Sequence, residues 1–529
     1  MRTTHLYIIA AMLFAAGCAS DPSVEVEAAK RPPNILLAIA DDAGHMGRSV
    51  AWVDTPSIDQ VADAGIRFLN AYTPNAKCAP SRASLITGRN SWQLKEGANH
   101  WNNFPAEFKT YPEALRDLGY ATGYTGKGWS PGNAGMVDGK PRELTGPRWR
   151  MKHEPPTKAM SKVDYAESFI AFYKNKKAGQ PFHFWYGAYE PHRPYTFGSS
   201  LKAGKTLGDI DKVPGYFPDN EIVRTDLLDY ALEIEHFDTH LGRILDFLER
   251  QGELDNTLVI VTSDHGMPFP RAKGEEYEAS NHVPLVMMWG DQIKRPGRVI
   301  EEYVSFVDIA PTLFDIAGFT WRETGMQSSP GSSLADLFED QIKDHTTEQR
   351  DHVLIGKERH GVGRPGNYGY PIRGIVKDGW LYLRNYRPDL WPAGNPETGY
   401  STVDGSPTKT QILRARHNPA TKHFWDLSFG KRPEEELYRI AEDPDCLNNL
   451  AANPTFADLK EGLRGTMEAE LRAQKDPRMF GQGDLFHTYP FLFKSMSNYY
   501  ERRIKQGEDL VPPWINASDI ETDLMEENP

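Results

Sequence analysis

The sequence predicts an α/β protein: a large, mixed but mainly parallel sheet sandwiched by helices, joined to a smaller C-terminal α+β subdomain with an antiparallel sheet. Three observations predict it. Two continuous apolar runs, Asn34-Ile35-Leu36-Leu37-Ala38-Ile39-Ala40 and Thr257-Leu258-Val259-Ile260-Val261-Thr262, have the pattern of strands buried on both faces. Between them, residues 221–250 repeat Leu227, Leu228, Ala231, Ile234, Phe237, Leu241, Ile244, Leu245 and Leu248 at helical spacing, one apolar face of a long helix. Late in the chain, Tyr370 to Val376 and Trp380 to Leu383 read as a hairpin.

A chain of 529 residues has room for one very large domain or two. We expect a main unit over 34–345, the antiparallel subdomain over 346–475 and an extension over 476–529. The boundary is drawn where composition turns polar, from Gly331 to Asp351. A net charge of −13 gives no general field for nucleic acid, so an anionic ligand needs a local basic pocket. The N-terminus carries Arg2 and then an apolar run, Leu6 to Ala16, too short for a mature membrane span. It ends Ala15-Ala16-Gly17-Cys18, which resembles a bacterial lipoprotein cleavage box. Residues 1–17 then read as signal, Cys18 as the lipidated residue and the only link to a membrane, and 18–33 as a tether; the other reading is an ordinary signal peptide with an incidental Cys18, and both imply export. The expected location is the periplasm, outer membrane or cell surface. The other two cysteines are Cys78 and Cys446, so no disulfide framework is expected.

The elements follow in order. The first strand delivers Asp41-Asp42 at its carboxyl end, where open α/β sheets place their sites. Adjacent carboxylates repel unless a cation intervenes, though a strand-end Asp also serves as a turn or cap. Pro56 to Phe68 reads as a short helix with Pro near its first position. Lys77-Cys78-Ala79-Pro80-Ser81-Arg82 follows, running to Thr87-Gly88-Arg89. Lys77, Arg82 and Arg89 put positive charge around one sulfur, and a helix over 83–88 would add amides. A lone cysteine is otherwise a small buried apolar residue.

Tyr111 to Leu118 is helical, and Ala121 to Tyr124 a strand leading to Gly126-Lys127-Gly128-Trp129. Asp164 to Lys174 is helical; Pro181 to Ala188 is an aromatic strand ending in Pro191-His192-Arg193-Pro194, whose prolines restrain the histidine. The second buried strand ends in Ser263-Asp264-His265-Gly266. Three carboxylates from two strand ends suit an oxygen-seeking cation such as Ca²⁺, with Mg²⁺ second; His265 is a less usual calcium ligand. A basic loop, Arg271-Ala272-Lys273, follows. Pro284 to Trp289 is a strand. Glu358-Arg359-His360 precedes the hairpin. Cys446 is given no role.

Cys78, Pro80, Arg82, Gly88 and Arg89 agree in order with the signature of type I sulfatases, C-x-P-S-R followed by T-G-R, and the chain from about 33 to 475 resembles that family, with an alkaline phosphatase-like fold. The Pro-Phe-Pro-Arg-Ala-Lys stretch is closest to the sulfamidase branch. The resemblance implies that Cys78 is converted to formylglycine by a maturation enzyme. It implies a metal held by Asp41, Asp42, Asp264, His265 and formylglycine 78, and sulfate contacts from Lys127, His192 and Lys273 beside Arg82. Many members have a histidine where Trp129 stands. His100 is a candidate to replace it, and Arg271 and His360 are further candidates for substrate contact. The implied reaction is attack on sulfur by a hydroxyl of the hydrated aldehyde, with His192 or His100 as acid; the implied substrate is a sulfated carbohydrate. Two readings stand beside it: a sulfamidase or phosphoester or phosphonate hydrolase on the same fold, and a glycan-binding lipoprotein with a degenerate site. Trp391, Trp425, Tyr499 and Tyr500 are candidates to stack on sugars, or core residues.

Overall fold

A computed structural model describes residues 31–44, 52–339 and 350–527. The signal segment, Cys18 and most of the tether lie outside them, as do residues 340–349 of the expected boundary.

The main sheet of the described residues has eight strands: β1 (Asn34–Ala40), β2 (Ile66–Tyr72), β3 (Ala121–Gly126), β4 (Arg148–Trp149), β5 (Phe182–Gly187), β6 (Thr257–Ser263), β7 (Leu285–Met288) and β8 (Arg298–Ser305). Their spatial order is β8-β2-β7-β6-β1-β5-β3-β4. The β7 strand runs antiparallel to both neighbours, and the other pairings are parallel. The continuous apolar run of β1 is explained by its central place. Leu36, Ala38 and Ala40 enter the core layer on one face, and Ile35, Leu37 and Ile39 the layer on the other.

Among the described residues, the helices packed on the two sheets include α1 (Pro56–Asp63), α2 (Cys78–Thr87), α3 (Tyr111–Asp117), α4 (Tyr165–Asn175), α5 (Glu221–Arg250), α6 (Ile309–Ile316) and α7 (Ala457–Ala473). The apolar stripe of α5 covers one face of the sheet, with Leu227, Leu228, Ile234, Leu241 and Ile244 in its core. Asn220 caps α5, its side chain accepting from the Val223 amide at 3.0 Å. On the other face lie α2, α3 and α6. Described residues also form a four-stranded antiparallel sheet of β9 (His352–Lys357), β10 (Ile372–Lys377), β11 (Trp380–Asn385) and β12 (Glu435–Arg439).

Several expectations need correction. The helix expected over 56–68 stops at Asp63, and Ile66 begins β2. Gly65 makes the crossing close: a Cβ there would lie 1.9 Å from the Met287 carbonyl oxygen. The helix expected from Ala83 begins at Cys78 itself, after an extended Lys77. Strand β9 precedes Glu358-Arg359-His360, so these residues leave the small sheet rather than enter it. Strands β2 and β8 and helix α7 were not expected. Cys446 is buried, with a φ of 51°, and burial raises its thiol pKa. Among the described residues no helix is long and apolar enough to cross a membrane.

Candidate active site

Strands β1 and β6 lie side by side and parallel, with Ala40 opposite Ser263. Asp41-Asp42 and Asp264-His265 therefore leave the sheet together at its carboxyl edge. The Asp42 amide donates to Asp264 Oδ1 at 2.9 Å, and Asp42 takes a left-handed φ of 73° to turn there. Helix α2 arrives between them. Ser81 donates to the Asp264 carbonyl oxygen at 2.5 Å, which fixes its first turn and puts Cys78 against the acids. Cys78 Sγ lies 3.4 Å from His265 Nε2 and 3.9 Å from Asp42 Oδ1.

Buried cations face the carboxylates. Arg82 donates from Nε to Asp264 at 2.8 Å and from Nη2 to Asp41 at 3.2 Å; its Nη1 holds the carbonyls of Lys127 and Gly128, both at 3.0 Å. Lys127 Nζ lies 2.6 Å from both oxygens of Asp41. Lys273 Nζ lies 2.6 Å from Asp42, 2.6 Å from Asp404 and 3.1 Å from His192 Nε2. His192 Nδ1 faces the Arg193 carbonyl at 2.6 Å, so its proton sits on Nδ1 and Nε2 turns toward Lys273.

Charge of one sign stabilises charge of the other here. Burial works against the Asp42 carboxylate, yet Lys273, His192 and His265 hold it well below its usual range. Burial likewise opposes the His265 imidazolium, but Asp264 and Asp42 hold it well above its ordinary value. Burial opposes a thiolate at Cys78, and Lys127 and His265 still draw it down to about 6. The donor set fits a divalent ion. Ligand atoms of Asp42, Cys78, Asp264 and His265 lie within 4.8 Å of one another. His265 Nδ1 faces the Gly266 carbonyl at 3.1 Å, which orients Nε2 toward the acids. Asp41 belongs to a neighbouring group with Cys78 and His192, its oxygens taken by Lys127 and Arg82.

A cavity of about 460 Å³ opens over Cys78, of ordinary size for a small-molecule site. Asp41, Lys127, His192, Lys273, His100 and His360 line it. His100 is half-buried, and among the described residues its buried Nε2 has no hydrogen-bond partner. His360 sets Nε2 2.8 Å from Asn75 Oδ1 and leaves Nδ1 unpartnered. Burial, with Lys77 among the neighbouring cations, pushes both imidazoles well below their ordinary pKa, so both are neutral at pH 7. Arg82 lies beneath the floor and acts through Asp41 and Asp264.

Other candidates are placed elsewhere. Arg271 turns away, donating to the carbonyls of Leu427 and Cys446 and stacking over Tyr277. Its left-handed φ of 67° aims it opposite to Lys273. Arg89 points to the Ser328 carbonyl and away from the sulfur. Trp129 packs on Phe104 and donates to the Ala79 carbonyl at 3.1 Å, bracing the first turn of α2. Trp391 and Trp425 pack in the core, and Tyr499 is buried. The aromatic walls are instead Trp101, Tyr189, Phe491 and Trp514. Sequence reasoning missed these, and Asp404, because they come from loops with no periodicity. Lys77, whose place beside Cys78 marks it only as nearby charge, is also a wall of the cavity. It donates to the Thr402 carbonyl at 3.1 Å, and burial, with Lys273, lowers its pKa to about 8.

A family model described as Sulfatase matches residues 33–319. The chain is 28% identical to N-sulphoglucosamine sulphohydrolase of Homo sapiens, over 84% of this chain and 91% of that protein. It is 30% identical to an ulvan-active sulfatase of Formosa agariphila, over 86% of this chain and 84% of that protein. A solved structure in complex with D-glucosamine-2-N,6-O-disulfate matches with a TM-score of 0.60 and 19% identity, over 84% of this chain and 99% of that one. That last likeness bears on the fold.

Proposed function

The chain belongs to the sulfatase family, and on that premise we propose that it removes sulfate from a sulfated polysaccharide or oligosaccharide, with position 78 as the nucleophile. One observation carries this reading. Cys78, at the start of α2, shares one cavity with Lys127, His192 and Lys273 and stands against the paired acids of two strand ends. A binding protein with a degenerate site has no need of that whole set.

Oxidised to formylglycine, position 78 would supply a hydrated aldehyde as the nucleophile toward sulfur. A divalent ion held by Asp42, Asp264, His265 and position 78, with Asp41 beside them as the resemblance implies, would supply Lewis-acid charge; the carboxylates favour Ca²⁺, with Mg²⁺ second. Lys127 and Lys273 turn their ammonium groups to the sulfate oxygens. In sites of this kind, preorganised charge usually contributes more to the rate than any other single effect. Arg82 holds Asp41 and Asp264 in place from below. His192, whose Nε2 meets the charged Lys273 ammonium, is placed to pass a proton to the leaving oxygen, and His100, neutral at pH 7, would offer that oxygen a hydrogen bond. A second reading is hydrolysis of an N-sulfate. It is favoured by the match along nearly the whole length of the human sulphohydrolase. Export and lipidation at Cys18 belong to the same proposal and rest on the Ala15-Ala16-Gly17-Cys18 box.

The test is peptide mass spectrometry of protein made together with a formylglycine-generating enzyme, followed by sulfate release from O-sulfated and N-sulfated sugars. The peptide across Cys78 is expected to be lighter by about 18 Da, whereas oxidation to sulfur acids adds mass. The same spectra are expected to show a mature chain beginning at acylated Cys18. An unmodified thiol, beside a control sulfatase matured in the same cells, would sink the mechanism. Faster turnover of phosphate or phosphonate esters would move the assignment to those substrates.

A further inference from the structure

Outside this site, three histidines meet. His236 and His240 stand one turn apart on α5, and both are buried. His153 comes from a short antiparallel pair, Met151–Lys152 with Val163–Asp164, and is partly open to solvent. Ring nitrogens of the three lie within 4.8 Å of one another. Their ring centroids are 4.8, 5.2 and 5.6 Å apart. Three imidazoles around one tetrahedral ion, at nitrogen distances of about 2.0–2.1 Å, place their ring centres about 5 Å apart.

Among the described residues, Nε2 of His153 and Nε2 of His236 are buried with no hydrogen-bond partner. Two unsatisfied buried nitrogens in one cluster are costly unless something binds them. A carboxylate also stands behind the third ligand: Asp164 Oδ1 lies 3.6 Å from His240 Nδ1, and Asp164 is itself held by Arg243. Carboxylates in that place orient metal-ligating imidazoles. Without an ion, His240 Nδ1 faces the Ala166 amide at 3.5 Å and Arg243 at 3.2 Å. A bound ion would need the His240 proton on Nδ1, toward Asp164 and in place of the Ala166 and Arg243 donors, with Nε2 free to ligate.

We propose that His153, His236 and His240 form a site for one zinc-class transition ion, with water as fourth ligand, that ties the 151–164 segment to α5. Nitrogen donors alone select such ions over calcium. The segment matters because Ala159 and Ser161, within it, line the cavity over Cys78, and the Ser161 amide donates to Glu190 at 2.7 Å.

The test counts Zn²⁺ and records Co²⁺ spectra on the full chain carrying Cys78→Ala, which removes the thiol of the catalytic cavity as a competing ligand. One equivalent of Zn²⁺ is expected to survive dialysis. It should be lost when either His153→Ala or His236→Gln is added, and the visible bands of four-coordinate Co²⁺ should go with it. His153 is partly exposed, so its loss leaves the fold intact and keeps the comparison clean. Zn²⁺ is also expected to slow tryptic cleavage at Arg150 and Lys158 in the parent and not in the variants. Unchanged Zn²⁺ stoichiometry in both histidine variants would overturn the proposal.

Discussion

Lys273 shows how much a single side chain can carry. Its ammonium reaches Asp42, Asp404 and His192 at once, and burial is outweighed by the two carboxylates, so it stays charged well above the usual lysine range. On the proposed reading, an ammonium so placed would stabilise charge that grows on sulfate oxygens in the transition state. Lys273→Ala is therefore expected to lower kcat by about 10²–10³. Asp404→Asn removes a positioning contact while leaving the ammonium, so its loss should be smaller, about tenfold, in the same step. Sulfate-release kinetics check both, and a K273A enzyme within twofold of wild type would remove Lys273 from the sulfate site. Lys273 was legible in sequence through a basic loop after the second strand. Asp404 was not, because nothing local distinguishes an Asp-Gly turn from any other.

At the scale of elements, the aromatic strand β5 carries an acid-labile group. His183 is fully buried, with Nε2 3.2 Å from the Tyr111 hydroxyl. Burial lowers its pKa to about 3. In the unfolded chain it titrates near 6.5, so between about pH 3 and 6.5 the unfolded state binds more protons. Stability from a neutral His183 is thus complete above about pH 6.5 and is lost as pH falls, by up to about 1.4 kcal/mol per unit. In urea unfolding at pH 7 and pH 5, His183→Gln is expected to lose less between the two than the parent does. Equal losses would place the acid sensitivity elsewhere. Element type was legible wherever periodicity was strong, as in α5 and β1. Boundaries failed at Gly65 and at Cys78, where a backbone approach and a hydrogen bond to the Asp264 carbonyl decide where helices stop and start.

Across the whole molecule, the cavity is assembled from parts far apart in sequence: β1 and β6 below, the 401–404 loop at one side, and the C-terminal extension above. Trp514 belongs to that extension and donates to the Ser401 carbonyl at 2.8 Å, which pins it over the opening. It offers an apolar ring face remote from the reacting atoms. Trp514→Ala is expected to raise KM about tenfold, or about 1.4 kcal/mol, with kcat within about twofold. A fall in kcat with KM unchanged would give Trp514 a role in the chemistry instead.

By itself, the sequence determined which residues are candidates for the chemistry: an ordered signature around Cys78, acids at two strand ends and cations spaced between them. Those residues are legible because each stands at the end of a regular element or inside a short motif. Tertiary structure alone decided which candidates reach the cavity. Arg271 and Lys273 are two residues apart, yet one turns to the core and the other to Asp42. It alone also brought Trp514 over the site and His153 beside α5, since contacts across hundreds of residues are fixed by packing and leave no local pattern in the chain.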